Sequence, residues 1–240
     1  MVEYFRYDNE PSYQYGLIVT GTKTFGAPRR RIETLHVYGR SGDILFDEDA
    51  YDNIYVSYDV EIIKDFKTNA REIRGWLLSR KGYHELSDTY NPQFYRYATY
   101  FNSLDYDVVD HLMTLGKATI TFYAMPQRYD GDGDIPTEIT GNTTATLINP
   151  YQFKSKPLIE VSSTGTITVN GYTITVNSLP LLGNLTIDCE TMQCTDGVNN
   201  CNSMVTIDEF PVLGGGENIV TTNLSNSTKK TYITPRWWTL

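Results

Sequence analysis

The sequence predicts a mainly β protein in two parts, the first mixing strands with a helix and the second an antiparallel β-sandwich. Three observations predict it: runs of alternating polar and apolar residues through most of the chain, a single convincing helical period, and a change of texture near residue 130. Residues 131–240 hold 5 Lys+Arg, 10 Asp+Glu and 20 Thr, whereas residues 1–130 hold 15 Lys+Arg, 19 Asp+Glu and all three His. The expected domains are therefore 1–130 and 131–240. They are separated by Tyr129-Asp130-Gly131-Asp132-Gly133-Asp134-Ile135-Pro136, where Gly, Asp and Pro favour turns.

In the first part, Tyr51 to Ile63 alternates and puts Ile54, Val56, Tyr58 and Val60 on one face, as a half-buried strand does. Thr68 is placed to cap a helix whose inward positions Ala70, Ile73, Trp76 and Leu77 recur at three-to-four spacing, with Arg71, Glu72 and Arg74 toward water. A short second helix is expected from Asp107 to Leu115, ended by Gly116, before Lys117 to Ala124 returns to alternation. In the second part, Asn170-Gly171 is the preferred pair for a two-residue type I′ turn, because both central residues need positive φ. That turn sets Val169 opposite Tyr172 and Ile167 opposite Ile174, leaving Thr166, Thr168, Thr173 and Thr175 as a wet ladder. Leu185 to Glu190 repeats the scheme and turns Cys189 inward.

The 240 residues suit one or two domains, and 40% apolar with 20% charged residues excludes a disordered chain. A net charge of -9 gives no general basis for nucleic-acid binding, and the basic run Arg29-Arg30-Arg31 reads as a solvated edge. The 19 Tyr fit pleated surfaces and contact surfaces alike. The N-terminus Met1-Val2-Glu3-Tyr4-Phe5-Arg6 lacks a signal-peptide core, and no segment approaches a membrane span. Cys189, Cys194 and Cys201 fit neither a disulfide framework nor paired zinc knuckles and are read as reduced structural thiols. The sequons at Asn142, Asn184, Asn223 and Asn226 follow from a Thr- and Asn-rich second part.

Chemistry is weakly provided. His36, His84 and His111 share no metal-ligand spacing, and no nucleophile elbow or Walker sequence is present. Gly214-Gly215-Gly216 lacks the Lys and the strand-to-helix context of a phosphate loop. The alternating Asp residues of 130–134 miss the Gly and Glu that a calcium loop requires, since Ile135 and Gly141 stand there. Carboxylates such as Asp105, Asp107 and Asp110, or Asp208 and Glu209, leave a glycosidase pair as a third hypothesis, with abundance in an acidic protein the simpler account. No catalytic, cofactor-binding or metal residue is assigned, and no cofactor is expected.

Specific words then become informative. Leu35-His36-Val37-Tyr38-Gly39-Arg40-Ser41-Gly42-Asp43-Ile44-Leu45, Ile73-Arg74-Gly75-Trp76-Leu77, Tyr83-His84-Glu85-Leu86, Phe94-Tyr95-Arg96-Tyr97-Ala98 and Thr121 to Tyr129 stand in the first part. Leu185 to Met192, Phe210 to Ile219 and Ile233-Thr234-Pro235-Arg236-Trp237-Trp238 stand in the second. In order and spacing the set resembles the distal tail protein family of siphophages of Gram-positive hosts. The resemblance implies an N-terminal β-sandwich with one helix and a hairpin, and a galectin-like C-terminal β-sandwich, with the last eight or so residues open to returning to the first domain. It further implies a non-enzymatic virion protein of the tail tip, made in the host cytoplasm. Six copies would form a ring, joining the tail-tube protein to tail-associated lysin, fibre or receptor-binding proteins and letting DNA pass. Tyr95, Tyr97, Tyr100 and Tyr106 are candidates for ring contacts or for core, and the ring-interface residues are not readable. The alternative is a carbohydrate-binding module touching the host wall, although the chain has no room for a large carbohydrate-binding insertion, and the second part has no His and a single Arg, Arg236.

Overall fold

The structure is a computed structural model that describes residues 3–21, 23, 26–108, 115–181 and 183–240. Its described residues are mainly β, with one α-helix, and the chain divides into two compact units, Met1–Arg128 with Leu240 and Tyr129–Thr239.

The first unit contains β1 (Phe5–Tyr7), β2 (Glu10–Pro11), β3 (Leu17–Val19), β4 (Arg30–Leu35), β5 (Ile44–Tyr51), β6 (Ile54–Ile62), α1 (Phe66–Ser79), β7 (His84–Asp88), β8 (Phe94–Thr99), β9 (Asp107–Val108) and β10 (Gly116–Ala124). Its main sheet runs β2-β1-β7-β8-β10-β6-β3, all antiparallel, with β9 beside β10. The Val19 N–H of β3 donates to the carbonyl of Glu3, just before β1, at 2.9 Å. The inward faces of β1, β3, β6, β7, β8 and β10 share one core with α1.

Strand β6 buries Tyr58, Val60 and Ile62 on the face that alternation assigns to it. Helix α1 buries Ala70, Ile73, Trp76 and Leu77, the four positions its spacing selects. It starts earlier than expected, however. Thr68 lies inside the first turn, and the cap residue is Asp65 in a left-handed conformation at φ 48 without a side-chain cap bond. Phe66 explains the early start, because its ring packs edge-on against Tyr106 at 5.5 Å and pulls the first turn onto the body. The second helix expected from Asp107 is not what its first residues form, since Asp107 and Val108 pair with Lys117 and Gly116 as strand. Residues 109–114, with Asp110 and His111, lie outside the described residues.

β11 (Arg128–Asp130) begins on the last residue of the first unit and runs into the second, which holds β12 (Thr137–Thr140), β13 (Thr144–Asn149), β14 (Leu158–Val161), β15 (Gly165–Val169), β16 (Tyr172–Val176), β17 (Leu185–Asp188), β18 (Gln193–Thr195), β19 (Val205–Ile207), β20 (Gly216–Leu224), β21 (Lys230–Thr234) and β22 (Trp238–Thr239). Two five-stranded antiparallel sheets, β12-β21-β14-β17-β18 and β13-β20-β15-β16-β19, enclose its core. Asn170 and Gly171 both have positive φ, and the hairpin register pairs Ile167 with Ile174 and Val169 with Tyr172, as the turn type requires. The stretch 129–136 is more than a spacer. Residues Gly131–Asp134 form a 3-10 turn, Asp130 is buried and accepts from the Tyr151 hydroxyl at 2.5 Å, and its N–H donates to the Trp237 carbonyl. Trp237 is itself buried in this unit's core, and Trp238 stacks on Phe153.

Candidate functional site

Among the described residues, strands β4 and β5 pair only with each other, as a two-stranded arm. Its register sets Glu33 opposite Phe46, Thr34 opposite Leu45 and Leu35 opposite Ile44. Ion pairs hold its base: Arg30 reaches Asp47 at 2.6 Å and Arg31 reaches Asp52 at 2.8 Å. The basic run read as a solvated edge therefore serves to tie the two strands together. Every residue of β4 is exposed, and the arm carries Tyr38 at 100%, Leu45 at 64% and Phe46 at 52% exposure. A lone two-stranded ribbon is marginal in water. Each large apolar side chain left in solvent also forgoes roughly 1.5–3 kcal/mol of burial. An arm built this way calls for a covering surface.

A second apolar surface lies on the outer face of the main sheet. Tyr55 and Tyr123 are cross-strand partners with rings 5.3 Å apart, and Phe101 meets Tyr123 edge-on at 5.8 Å. Tyr55 and Phe101 remain 66% and 59% exposed. Aromatic groups of this kind dominate contact surfaces because they offer area with few rotors to freeze. The tyrosines singled out in the sequence divide: Tyr100 is core, Tyr106 and Tyr95 are half-buried, and Tyr97 is exposed.

The residues considered for chemistry are scattered. His36 sits after the arm's first strand beside Asp43 at 3.1 Å, and His84 contacts Asp8 at 3.1 Å in a network with Arg80 and Glu10 that ties β1 and β2 to the end of α1. Asp105, Asp107, Asp208 and Glu209 are all exposed. Among the described residues no cluster of His, Cys, Asp and Glu is placed to hold a metal ion. The three cysteines are buried free thiols, and burial pushes Cys189 up to about 12 and Cys194 up to about 11, so neither is a thiolate at neutral pH. Of Gly214-Gly215-Gly216 only Gly215 is closely approached, where an added Cβ would lie 2.8 Å from the Tyr151 carbonyl oxygen. Among the described residues no helix is long and apolar enough to cross a membrane.

In the second unit Arg236 is a structural lock. Its guanidinium donates to Asp188 at 2.8 and 3.4 Å while its backbone N–H, at positive φ, donates to the Gly133 carbonyl. Burial works to raise the Asp188 carboxyl, but the Arg236 bonds and charge and the N–H groups of Glu190 and Thr191 outweigh it and hold the group below its ordinary value. A folded-state pKa below the unfolded one stabilises the fold above an ordinary aspartate pKa of about 3.9, and this contribution is lost as pH falls through the folded value. Asp188→Asn is thus expected to cost about 1–3 kcal/mol at pH 7. Urea unfolding of wild type and variant should converge as the pH falls through the lowered folded-state value of Asp188.

These observations define a class: a mainly β chain of two units, with one helix, a projecting arm and no assembled reaction centre among the described residues. No protein-family model matches the chain, and no curated protein matches it. Among solved structures it is similar to the SPP1 Dit (gp 19.1) protein, described as a paradigm of the hub adsorption apparatus in phages that infect Gram-positive bacteria. The likeness covers 100% of both chains with a TM-score of 0.74 at 14% identity. The chain has the Dit fold over its full length, and the resemblance read from sequence words has a structural counterpart.

Proposed function

We propose that the chain is a structural hub of a phage tail tip, working by protein-protein contact rather than by catalysis. Residues 1–130 form the ring through six copies, and residues 131–240 form a galectin-like sandwich carried by that ring. The ring joins the tail-tube protein to tail-associated lysin, fibre or receptor-binding proteins and surrounds the path of DNA, in the virion at the tail tip. The observation that carries this reading is the uncovered arm β4–β5, on a chain whose fold matches a Dit protein end to end. Identical subunits close a ring through head-to-tail contacts, and an arm with apolar side chains paired to an aromatic sheet face supplies two unlike surfaces for such a contact. The acidic balance of -9 also favours a lumen along which DNA slides without sticking.

The expected result is six-membered rings in electron micrographs and by light scattering at high concentration or with tail partners present. The double variant Leu45→Ser, Phe46→Ser should remain monomeric with its thermal midpoint within about 2 °C of wild type, because both residues are exposed. A wild-type chain that stays monomeric beside its tail partners, or rings indifferent to the double variant, would count against the reading. Saturable binding of wall polysaccharide would favour the carbohydrate-binding alternative.

A further inference from the structure

The buried thiols of the second unit are unevenly placed. Past β18 the chain doubles back: Thr195 pairs antiparallel with Asn200, the Asp196 N–H donates to the Asn199 carbonyl at 3.3 Å, and the Cys201 N–H donates to the Cys194 carbonyl at 2.7 Å. These two bonds flank the Thr195–Asn200 pair, so Cys194 and Cys201 stand directly opposite each other at a hydrogen-bonded position, where Cα atoms are about 5.5 Å apart. Opposite residues share a face, and both side chains lie in the core of the unit, at 0% and 2% exposure. A disulfide spans Cα atoms roughly 4.4–6.8 Å apart, so the backbone already meets its requirement. Cys189 does not compete. Ile187 is the residue opposite Cys194 on β17, which leaves Cys189 one diagonal step away, at about 7–8 Å, beyond what a disulfide bridges without moving the backbone.

The hairpin between the two cysteines is held at both ends. Asp196 accepts from the N–H groups of Val198 and Asn199 at 3.0 and 2.7 Å, Gly197 turns the chain at φ +97, and the Asn202 side chain accepts from the Cys194 N–H at 2.7 Å. Two thiols fixed in register react as one intramolecular unit and need no chance encounter. Burial restrains the chemistry, since it pushes Cys194 up to about 11 and makes its thiolate scarce, so exchange waits on opening of the hairpin. Residues 197–200 and Asn202 are exposed, which makes Cys201, lying between them, the thiol that a small oxidant reaches first. Its thiolate attacks one sulfur of a low-mass disulfide such as oxidised glutathione, forms a mixed disulfide and expels one glutathione thiolate. The Cys194 thiolate then attacks the Cys201 sulfur, closes the cross-strand bond and expels the second. The two cysteines give up two protons and two electrons, and the oxidant takes them up as two thiols.

We infer that Cys194 and Cys201 are an oxidation site, a thiol pair that closes into a cross-strand disulfide when the chain passes from a reducing to an oxidising compartment. The change of compartment rests on the virion reading, whereas the bond rests on the strand pairing alone. The test incubates the reduced, full-length chain with oxidised glutathione in the absence of denaturant, alkylates the remaining thiols after unfolding, and reads intact mass and a peptide map. Wild type should lose about 2 Da, with Cys194 linked to Cys201 and Cys189 alkylated. The transition of the second unit should rise by roughly 5 °C, as expected for a short closed loop, and dithiothreitol should reverse both changes. Cys201→Ala should show neither. A folded chain that stays unbonded or collects only glutathione adducts, while the urea-unfolded chain oxidises readily, overturns the site. A link to Cys189 in the wild-type map, which can be read however well the variant folds, overturns the pairing, as does an equal mass loss in Cys201→Ala. Rings from a chain that never closes the bond sink the disulfide alone, and a bonded chain that never forms rings beside its tail partners sinks the hub reading alone.

Discussion

Trp76→Ala is expected to destabilise the first unit by about 3–5 kcal/mol, the range for emptying a large aromatic site in a packed core. Trp76 is 3% exposed and joins three elements: it stacks on Phe5 of β1 at 5.8 Å and on Tyr15 of the turn before β3 at 4.5 Å, and meets Tyr7 edge-on at 6.2 Å. Removing it uncouples α1 from the sheet at the point where Phe5 also packs on Tyr58 and Phe122. Trp76→Phe should recover most of the loss. The indole N–H makes no hydrogen bond in its buried position, so its removal offsets part of the lost packing by sparing an unmet donor worth about 1–3 kcal/mol. Urea unfolding followed by tryptophan and tyrosine fluorescence measures both variants, and a loss below about 1 kcal/mol for Trp76→Ala would show that the stack is not what holds α1.

The helix face around Trp76 was legible because its burial is periodic: Ala70, Ile73, Trp76 and Leu77 face one core, and that period is written into the sequence. The start of the helix was not, since the position of Phe66 depends on Tyr106, a contact no local pattern encodes. Likewise, the Asn170-Gly171 turn fixed a hairpin register that holds residue for residue, because the backbone conformation of two residues determines all the pairings behind them. The arm is the converse case. Both faces of β4 are exposed, so it carries no two-residue hydrophobic period, and only the likeness of Leu35 to Leu45 to a family word marked the region. In 129–136, Gly and Asp announced a turn correctly, but the burial of Asp130 against Tyr151 depends on tertiary packing.

Gly165→Ala is expected to destabilise the second unit by about 3 kcal/mol or more, from two costs that add. Gly165 opens β15 at φ +137, a backbone region that only glycine occupies without strain, and this alone costs on the order of 1–3 kcal/mol for alanine. The added Cβ would also lie 2.4 Å from the Asn223 carbonyl oxygen and 2.7 Å from the Leu224 Cα. Both atoms belong to the backbone of β20 in its ladder with β15 itself, Gly165 opposite Leu224 and Thr166 opposite Asn223, so they cannot retreat without breaking that pairing. Gly171→Ala is the control. It sits at φ +91 in the hairpin turn with nothing within 4 Å of the new methyl, and should cost only about 1 kcal/mol. A calorimetric scan of the full chain should show the transition of the second unit moving several degrees further for Gly165→Ala than for Gly171→Ala. Equal shifts would mean that the strand entry at Gly165 yields to accommodate the methyl, and that the end of the β15–β20 ladder there is softer than its pairing implies.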